Sequence, residues 1–322
     1  MMRAAPPAER GAALLAVLLL VAVMAVISAT ALERLTLATR LAGNAAAMEQ
    51  ARLYQLAAER MALTRIAPLV SDEQTTLAGD WHGRERSVPL PQGTASLRVT
   101  DGGNCFNVNS LIARESGGAL RPQAMEQFVA LMLAIGIDQA SAQRIAGATA
   151  DWIDTDQTAN PAGAEDSAYS DGRRTPDAPI ADAGELAHVA GMTPAHWRRL
   201  APWLCALPDD ELSPINVNTL LPEQAPLLAM LVPGRLSAAQ AAAQISSRPQ
   251  GGWGSVMRFW QSPALGGIAP PGDAASQIRL KTRWFRLQSR VAVGNSILVA
   301  ESLLDTEGES PRVVRRRWGS AE

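Results

Sequence analysis

Residues 10–17 read Arg10-Gly11-Ala12-Ala13-Leu14-Leu15-Ala16-Val17, and the apolar run they open continues to Ala31-Leu32 with no Asp, Glu, Lys or Arg after Arg10. About twenty apolar residues, rising 1.5 Å each as a helix, cross the roughly 30 Å hydrocarbon core of a bilayer. A short polar leader, residues 1–11, precedes the run and carries Arg3 and Arg10 against Glu9. Its weak positive bias keeps the N-terminus cytoplasmic and sends the chain after Leu32 across the membrane. A secretory signal peptide would place a small-residue cleavage site behind the apolar part. Here the suggestive junction, Gly11-Ala12, stands in front of it. Two readings are open at this point. One is an uncleaved signal anchor. The other is a leader cut after Gly11, so that Ala12 opens the mature chain and residues 12–32 remain as a transmembrane helix.

Beyond the membrane the helix continues. Ala31 to Ile66 contains no Pro and a single Gly, Gly43. Leu32, Leu35, Leu41, Leu53, Leu56 and Met61 recur at helical spacing among Glu33, Arg34, Arg40, Glu49, Arg52 and Glu59. The pattern predicts one long helix over residues 12–68 whose apolar face packs under a soluble domain. Pro68 and the polar Ser71-Asp72-Glu73 stretch end it. Period-two alternation follows in Thr94–Thr100, closed by Asp101-Gly102-Gly103, so residues 69–103 read as the first part of an antiparallel sheet. The same pattern returns near the C-terminus. Trp284–Val293 and Ser296–Leu304 flank the hairpin turn Gly294-Asn295, and Arg312–Trp318 is a last strand, giving a second sheet part over residues 276–322. The Arg315-Arg316-Arg317 run reads as a solvated, charge-protected edge. The fold class is α+β.

Residues 104–275, between the two sheet parts, are mostly helical and contain an internal repeat. Phe106-Asn107-Val108-Asn109-Ser110-Leu111 is echoed by Ile215-Asn216-Val217-Asn218-Thr219-Leu220. Helices are expected over Met125–Ile135 and Gln139–Ile153 after the first copy, over Gln224–Leu231 and Ser237–Ser247 after the second, and over Pro194–Leu204 between them. The Asn side chains stand where side-chain-to-backbone bonds set up a following helix. A long connection, Asp154 to Ala183, holds few core residues but many acids: Asp154, Asp156, Glu165, Asp166, Asp171 and Asp177, with Asp151 just before it. A stretch this long without its own secondary structure is functional or tied down. Hard oxygen donors at flexible spacing suit Ca²⁺, which takes six to eight oxygens. The spacing is not an EF-hand, because the sixth position from Asp154 is not Gly, although Glu165 falls at the twelfth.

Composition removes other classes. With 29 Lys+Arg against 31 Asp+Glu the net charge is −2, which offers no general attraction for nucleic acid. The two Asn-Val-Asn hairpins look like helix-hairpin-helix units, but phosphate binding needs exposed amides and nearby cations. Only Arg235 lies in either turn, so the units read as structural. His82, His188 and His196 sit in no metal or triad motif, and no Gly-x-Ser-x-Gly elbow is present. An enzyme is not expected. Trp203, Trp253 and Trp260 read as core packing. Cys105 and Cys205 have no Cys or His partner at metal spacing. Export to an oxidising compartment would favour a disulfide between them, worth on the order of 4–5 kcal/mol in the chain-entropy model, against two buried thiols.

Taken in order, Arg10-Gly11, Cys105-Phe106-Asn107-Val108-Asn109, Trp152-Ile153-Asp154 with Asp156, Gly163-Ala164-Glu165-Asp166 with Tyr169, Leu204-Cys205-Ala206-Leu207-Pro208 and Ile215-Asn216-Val217-Asn218-Thr219 resemble the K-type minor pseudopilins of the bacterial type II secretion system. The resemblance implies a pilin-like fold, a long N-terminal helix on an antiparallel sheet, with a large α-helical domain inserted into the sheet. It implies a prepilin peptidase cutting after Gly11 and methylation of Ala12. It implies an inner-membrane, single-pass subunit with its soluble domain in the periplasm. Its partners would be the I-type and J-type minor pseudopilins, the major pseudopilin and the inner-membrane assembly platform, and no nucleic acid. Members of the family bind calcium in the helical domain, which carries the ligand role to Asp154, Asp156, Glu165 and Asp166, with Asp151 as a further candidate. Most pilins carry Glu at the fifth mature position, where this chain has Ala16; K-type members lack that carboxylate, which implies the filament tip. A minor pilin of a type IV pilus and a membrane-anchored DNA-binding protein are the alternatives.

Overall fold

The computed structural model describes residues 7–319 apart from 171, 269–271, 273 and 309. Residues 1–6 of the expected leader therefore lie outside the described residues, and so does Asp171.

Helix α1 (Pro7–Ile66) runs unbroken for 60 residues and stops two residues before Pro68, where a ring without an N–H ends helical bonding. Residues 11–46 are exposed along their whole length. The buried stripe begins at Ala51 and continues through Gln55, Ala58, Glu59, Ala62 and Ile66. This corrects the expected packing face at Leu53 and Leu56, while Leu63 does pack on the domain. Leu53 and Leu56 are 60% and 42% exposed; small alanines instead let the helix backbone approach the sheet, and of the larger apolar side chains Tyr54, Leu63 and Ile66 pack inward while Leu53 and Leu56 point outward.

The sheet has five antiparallel strands in the order β1-β2-β3-β4-β5: β1 (Glu85–Leu90), β2 (Gly93–Asp101), β3 (Trp284–Val293), β4 (Ser296–Asp305) and β5 (Arg312–Trp318). β2 pairs directly with β3, from Gly93↔Val293 to Asp101↔Phe285. The whole helical domain is thus an excursion between two neighbouring strands. This is the architecture that the pilin resemblance implies. Under α1, Ala95, Leu97, Phe285, Leu287, Val291 and Leu304 form one core. Two polar contacts interrupt it. Gln55 Oε1 accepts from Ser289 Oγ at 2.5 Å. Glu59 accepts from Ser302 Oγ and Arg316 Nε, both at 2.6 Å, and from Arg316 Nη2.

The inserted domain carries helices α2 (Pro122–Ala134), α3 (Gln139–Ile153), α4 (Pro194–Leu200), α5 (Ala225–Ala229), α6 (Ala238–Ser246) and α7 (Val256–Trp260) around a separate core. Phe106 stacks on Phe128 at 4.5 Å between ring centroids, and Trp253 and Trp260 are buried in the same core. The expected helix over 194–204 ends at Leu200, because Leu204 and Cys205 leave to pair in parallel with Phe106 and Asn107. That pairing aligns Cys105 and Cys205, which form a disulfide with Cα atoms 5.7 Å apart. The bond lies in a small cluster with Leu207, Trp284 and Leu303, where insert meets sheet.

The four repeat asparagines are buried and span far more than one helix start. Asn107 Oδ1 does cap the turn after it, through Asn109 N–H at 3.3 Å, but it also accepts from Leu207 N–H at 3.0 Å. Asn109 Nδ2 donates to Ile180 O (2.9 Å) and Leu207 O (2.8 Å), while its Oδ1 accepts from Ile180 N–H (2.8 Å). Asn216 Nδ2 donates to Thr282 Oγ1 at 2.8 Å, and Asn218 Oδ1 accepts from Trp253 N–H at 2.8 Å. Each satisfies buried backbone groups from segments that have no ladder of their own. The repeat is a connector, turned inward.

The arginine run corrects the solvated-edge expectation. Successive side chains of a strand alternate between faces. Arg316 turns to Glu59 on α1. Arg315 Nη1 donates to the carbonyls of Ala181 (2.6 Å) and Ala206 (2.5 Å), and Arg317 pairs with Asp182, all three on the insert.

Candidate metal centre

α3 is started by Asp138, whose carboxylate accepts from Ser141 N–H at 2.9 Å. It delivers Asp151 in its last turn and Asp154 as its C-terminal boundary residue. The following loop folds back over the helix because small residues permit it. A Cβ on Gly147 would come 2.8 Å from Pro161 O, and one on Gly163 would come 2.0 Å from Asp151 Oδ2. Only glycine fits at either contact. Asp151 then organises the loop: Oδ1 accepts from Asn160 N–H (3.0 Å) and Nδ2 (2.6 Å), and Oδ2 accepts from Ala164 N–H (2.5 Å). Glu165, next to Ala164, is carried to the same place.

One carboxylate oxygen from each of Asp151, Asp154 and Glu165 lies within 4.8 Å of the others. The three residues are 0%, 6% and 5% exposed. Among the described residues, no Arg or Lys pairs with any of them. Asp154 Oδ1 and both oxygens of Glu165 are buried without a hydrogen-bond partner, as is Asp177 Oδ1. Burial first, and then the Asp151 charge, push the Asp154 carboxyl up to about 6 and that of Glu165 up to about 7. Buried carboxylates without donors or counter-ions are costly. A hard divalent cation relieves both deficits, and an all-oxygen, flexible donor set with a Glu able to bind through both oxygens suits Ca²⁺. The residues present therefore fit calcium.

The structure selects among the expected ligands. Asp154, Glu165 and Asp151 converge. Asp156 and Asp166 do not join them. Asp156 is exposed, its Oδ1 accepting from Thr158 N–H at 2.7 Å. Asp166 Oδ1 accepts from Thr175 N–H (2.8 Å) and Oγ1 (3.1 Å), bracing the loop instead. Asp177, named among the acids of the loop but not among the expected ligands, lies outside the three-carboxylate cluster, yet its Oδ1 is buried without a partner and its charge adds to the upward push on Asp154 and Glu165. Its φ of 50° is left-handed, a conformation seldom adopted without Gly and often found where function demands it. A Pro-Asp step inside an acidic loop was the only signal available.

Ala12 and Ala16 lie on the exposed N-terminal half of α1, and Gly11 just ahead of them has no neighbour within 4 Å of where a Cβ would stand.

Comparison with known proteins agrees with this architecture. Residues 104–209 and 215–281 match family models described as type II secretion system (T2SS), protein K. Type II secretion system protein K of Klebsiella pneumoniae is 34% identical, matched over 97% of both chains. Its counterpart in Pectobacterium carotovorum subsp. carotovorum is also 34% identical over 97% of each chain. A chain from the crystal structure of the GspK-GspI-GspJ complex of the enterotoxigenic Escherichia coli type 2 secretion system superposes with a TM-score of 0.74 at 29% identity, covering 85% of this chain and 97% of that one. Helix, sheet, insert and full-length similarity agree: the chain belongs to the type II secretion system protein K family.

Proposed function

We propose that this chain is the minor pseudopilin at the tip of a type II secretion pseudopilus, where it helps to nucleate assembly for export of folded proteins across the outer membrane. The observation that carries this reading is the division of α1. Residues 11–46 are exposed, apolar in their first half, and touch nothing in the body, whereas residues 51–66 are built into it. Such a helix is suited to lie first in the inner membrane and then among the helices of other subunits. Prepilin peptidase would cut after Gly11, Ala12 would be methylated, and the soluble domain would stand in the periplasm. The related chain in the GspK-GspI-GspJ complex supports I-type and J-type minor pseudopilins as partners here, with the major pseudopilin and assembly platform beneath. Ala16 supports the tip. A carboxylate there would need a neighbouring subunit's amine to offset its cost in lipid, and a tip subunit has no neighbour above. Calcium, held by Asp151, Asp154 and Glu165, would close the loop of the insert. The role is structural, not catalytic.

Deleting the gene should abolish exoprotein secretion and leave twitching motility intact; the reverse pattern would identify a type IV pilus subunit. Mass spectrometry of the mature N-terminus should find methylated Ala12. Retained Met1 removes the pseudopilin reading.

A further inference from the structure

Beside the last turns of α1 the sheet holds an uncovered groove. α1 packs chiefly on β3 and β4 and less on β2, so among the described residues the β1–β2 side of that face is less covered than the β3–β4 side. The groove encloses about 390 Å³, within the ~300–1,000 Å³ range of pockets that seat an anchoring group. Ile66, Trp81 and Leu97, all buried, form its floor, and Arg65, Arg84 and Arg86, all exposed, stand on its rim.

The rim is short of negative charge. Arg84 pairs with the Asp80 carboxylate, and Arg86 Nη2 donates to the Asp80 carbonyl at 3.0 Å. Arg65 has no partner among the described residues. Three guanidiniums thus share one carboxylate above an apolar floor. Complementarity calls for an apolar anchor flanked by acids. The form of that partner follows from β1. Its free edge carries Glu85 and Arg86, and Pro89 has no N–H to offer, features that discourage a further strand from pairing there. A helix lying alongside α1 needs no edge. It can lower one large side chain into the groove and present carboxylates one turn away on the same face.

We infer that this groove seats an acidic, apolar helix face of a neighbouring pseudopilin subunit. The inference rests on the pseudopilin-complex reading above. It assigns Arg65, Arg84 and Arg86 as the residues that choose the partner's orientation, and Trp81 with Leu97 as the floor that anchors it.

The test uses the full chain in detergent, titrated with the I-type and J-type pseudopilins of the same secretion system. Arg65→Glu/Arg86→Glu changes only exposed side chains. Arg290→Glu, exposed on the opposite face of the sheet, serves as the charge control. The double reversal should weaken binding of one partner at least tenfold with an unchanged melting curve, and should flatten the salt dependence that exposed rim charges impose. The control should bind as the parent does. Reversing an acidic residue of that partner to Arg should restore affinity for the double variant. Equal affinity of parent and double variant for both partners overturns the groove while leaving the complex standing. A parent chain that binds neither partner overturns the complex reading, and the groove falls with it.

Discussion

Replacing Glu165 by Gln should make the calcium-free protein more stable, an unusual direction for a substitution at a buried site. Glu165 is 5% exposed and neither oxygen has a donor. Its carboxyl is pushed from 4.5 up to about 7, so at pH 8 without metal the folded state carries a charge it opposes. Every tenfold gain in proton affinity on folding corresponds to about 1.4 kcal/mol, an upper figure of about 3 kcal/mol here, or about 2 kcal/mol once water reaching the loop screens it. The geometry agrees: carboxylates within 4.8 Å of each other repel by on the order of 3 kcal/mol per pair at an effective dielectric of 20. Glutamine keeps the shape, removes the charge and brings donors to the Asp151 and Asp154 oxygens. In EGTA at pH 8, the Tm of Glu165→Gln should exceed that of the parent by about 5 °C. In calcium at a hundredfold excess over Kd, the parent should gain about 2.7 kcal/mol and the variant little, so the order of the two Tm values reverses. Scanning calorimetry of the detergent-solubilised chain in both buffers reads this directly. A variant that melts below the parent in EGTA, or that responds to calcium as the parent does, would refute the reasoning.

The same groups set a pH dependence. Because the folded-state pKa values of Asp154 and Glu165 are raised, the stability they contribute is fully present below about pH 4 and is lost as pH rises through 6 to 7; urea midpoints in EGTA should fall across that window, and calcium should remove the fall. Gly163→Ala should abolish the calcium shift in Tm, since its Cβ would meet Asp151 Oδ2, and isothermal titration calorimetry checks the loss of binding. Arg316→Met should cost about 3–5 kcal/mol by leaving Glu59 buried without its cation. The double variant Glu59→Leu/Arg316→Met should recover most of that loss in urea titrations, as a double-mutant cycle would show.

Local signals carried much of the fold. α3 runs from Gln139 to Ile153 and β3 from Trp284 to Val293 as their periodicity predicts, because Asp138 caps one and Gly294 turns the other. What escaped depended on partners far away in sequence. The leucine pattern of α1 is visible, but which side faces the sheet is decided by how closely Ala51, Ala58 and Ala62 approach it. Asp156 and Asp166 are expected as ligands from the family resemblance, yet loop side chains take their direction from backbone turns that neither resemblance nor composition encodes. Asp151 was legible as a neighbour of the acidic loop. Its central place emerges only when Gly163 brings Ala164 N–H onto it.

The arginine run also sets the order in which the molecule is completed. Its acceptors, Glu59 on α1 and Ala181, Asp182 and Ala206 on the insert, are synthesised long before Arg315–Arg317, which lie in β5. Until that strand arrives, β4 is an open edge, and Glu59 on α1 and Asp182 on the insert stand without their arginines. The seven-residue β5 is therefore the element that closes the contacts to α1 and to the insert at once. A chain cut short before Arg312 would retain every acidic ligand, both cysteines and the whole of α1, yet leave Glu59 buried without its cation and the Ala181 and Ala206 carbonyls without their donor.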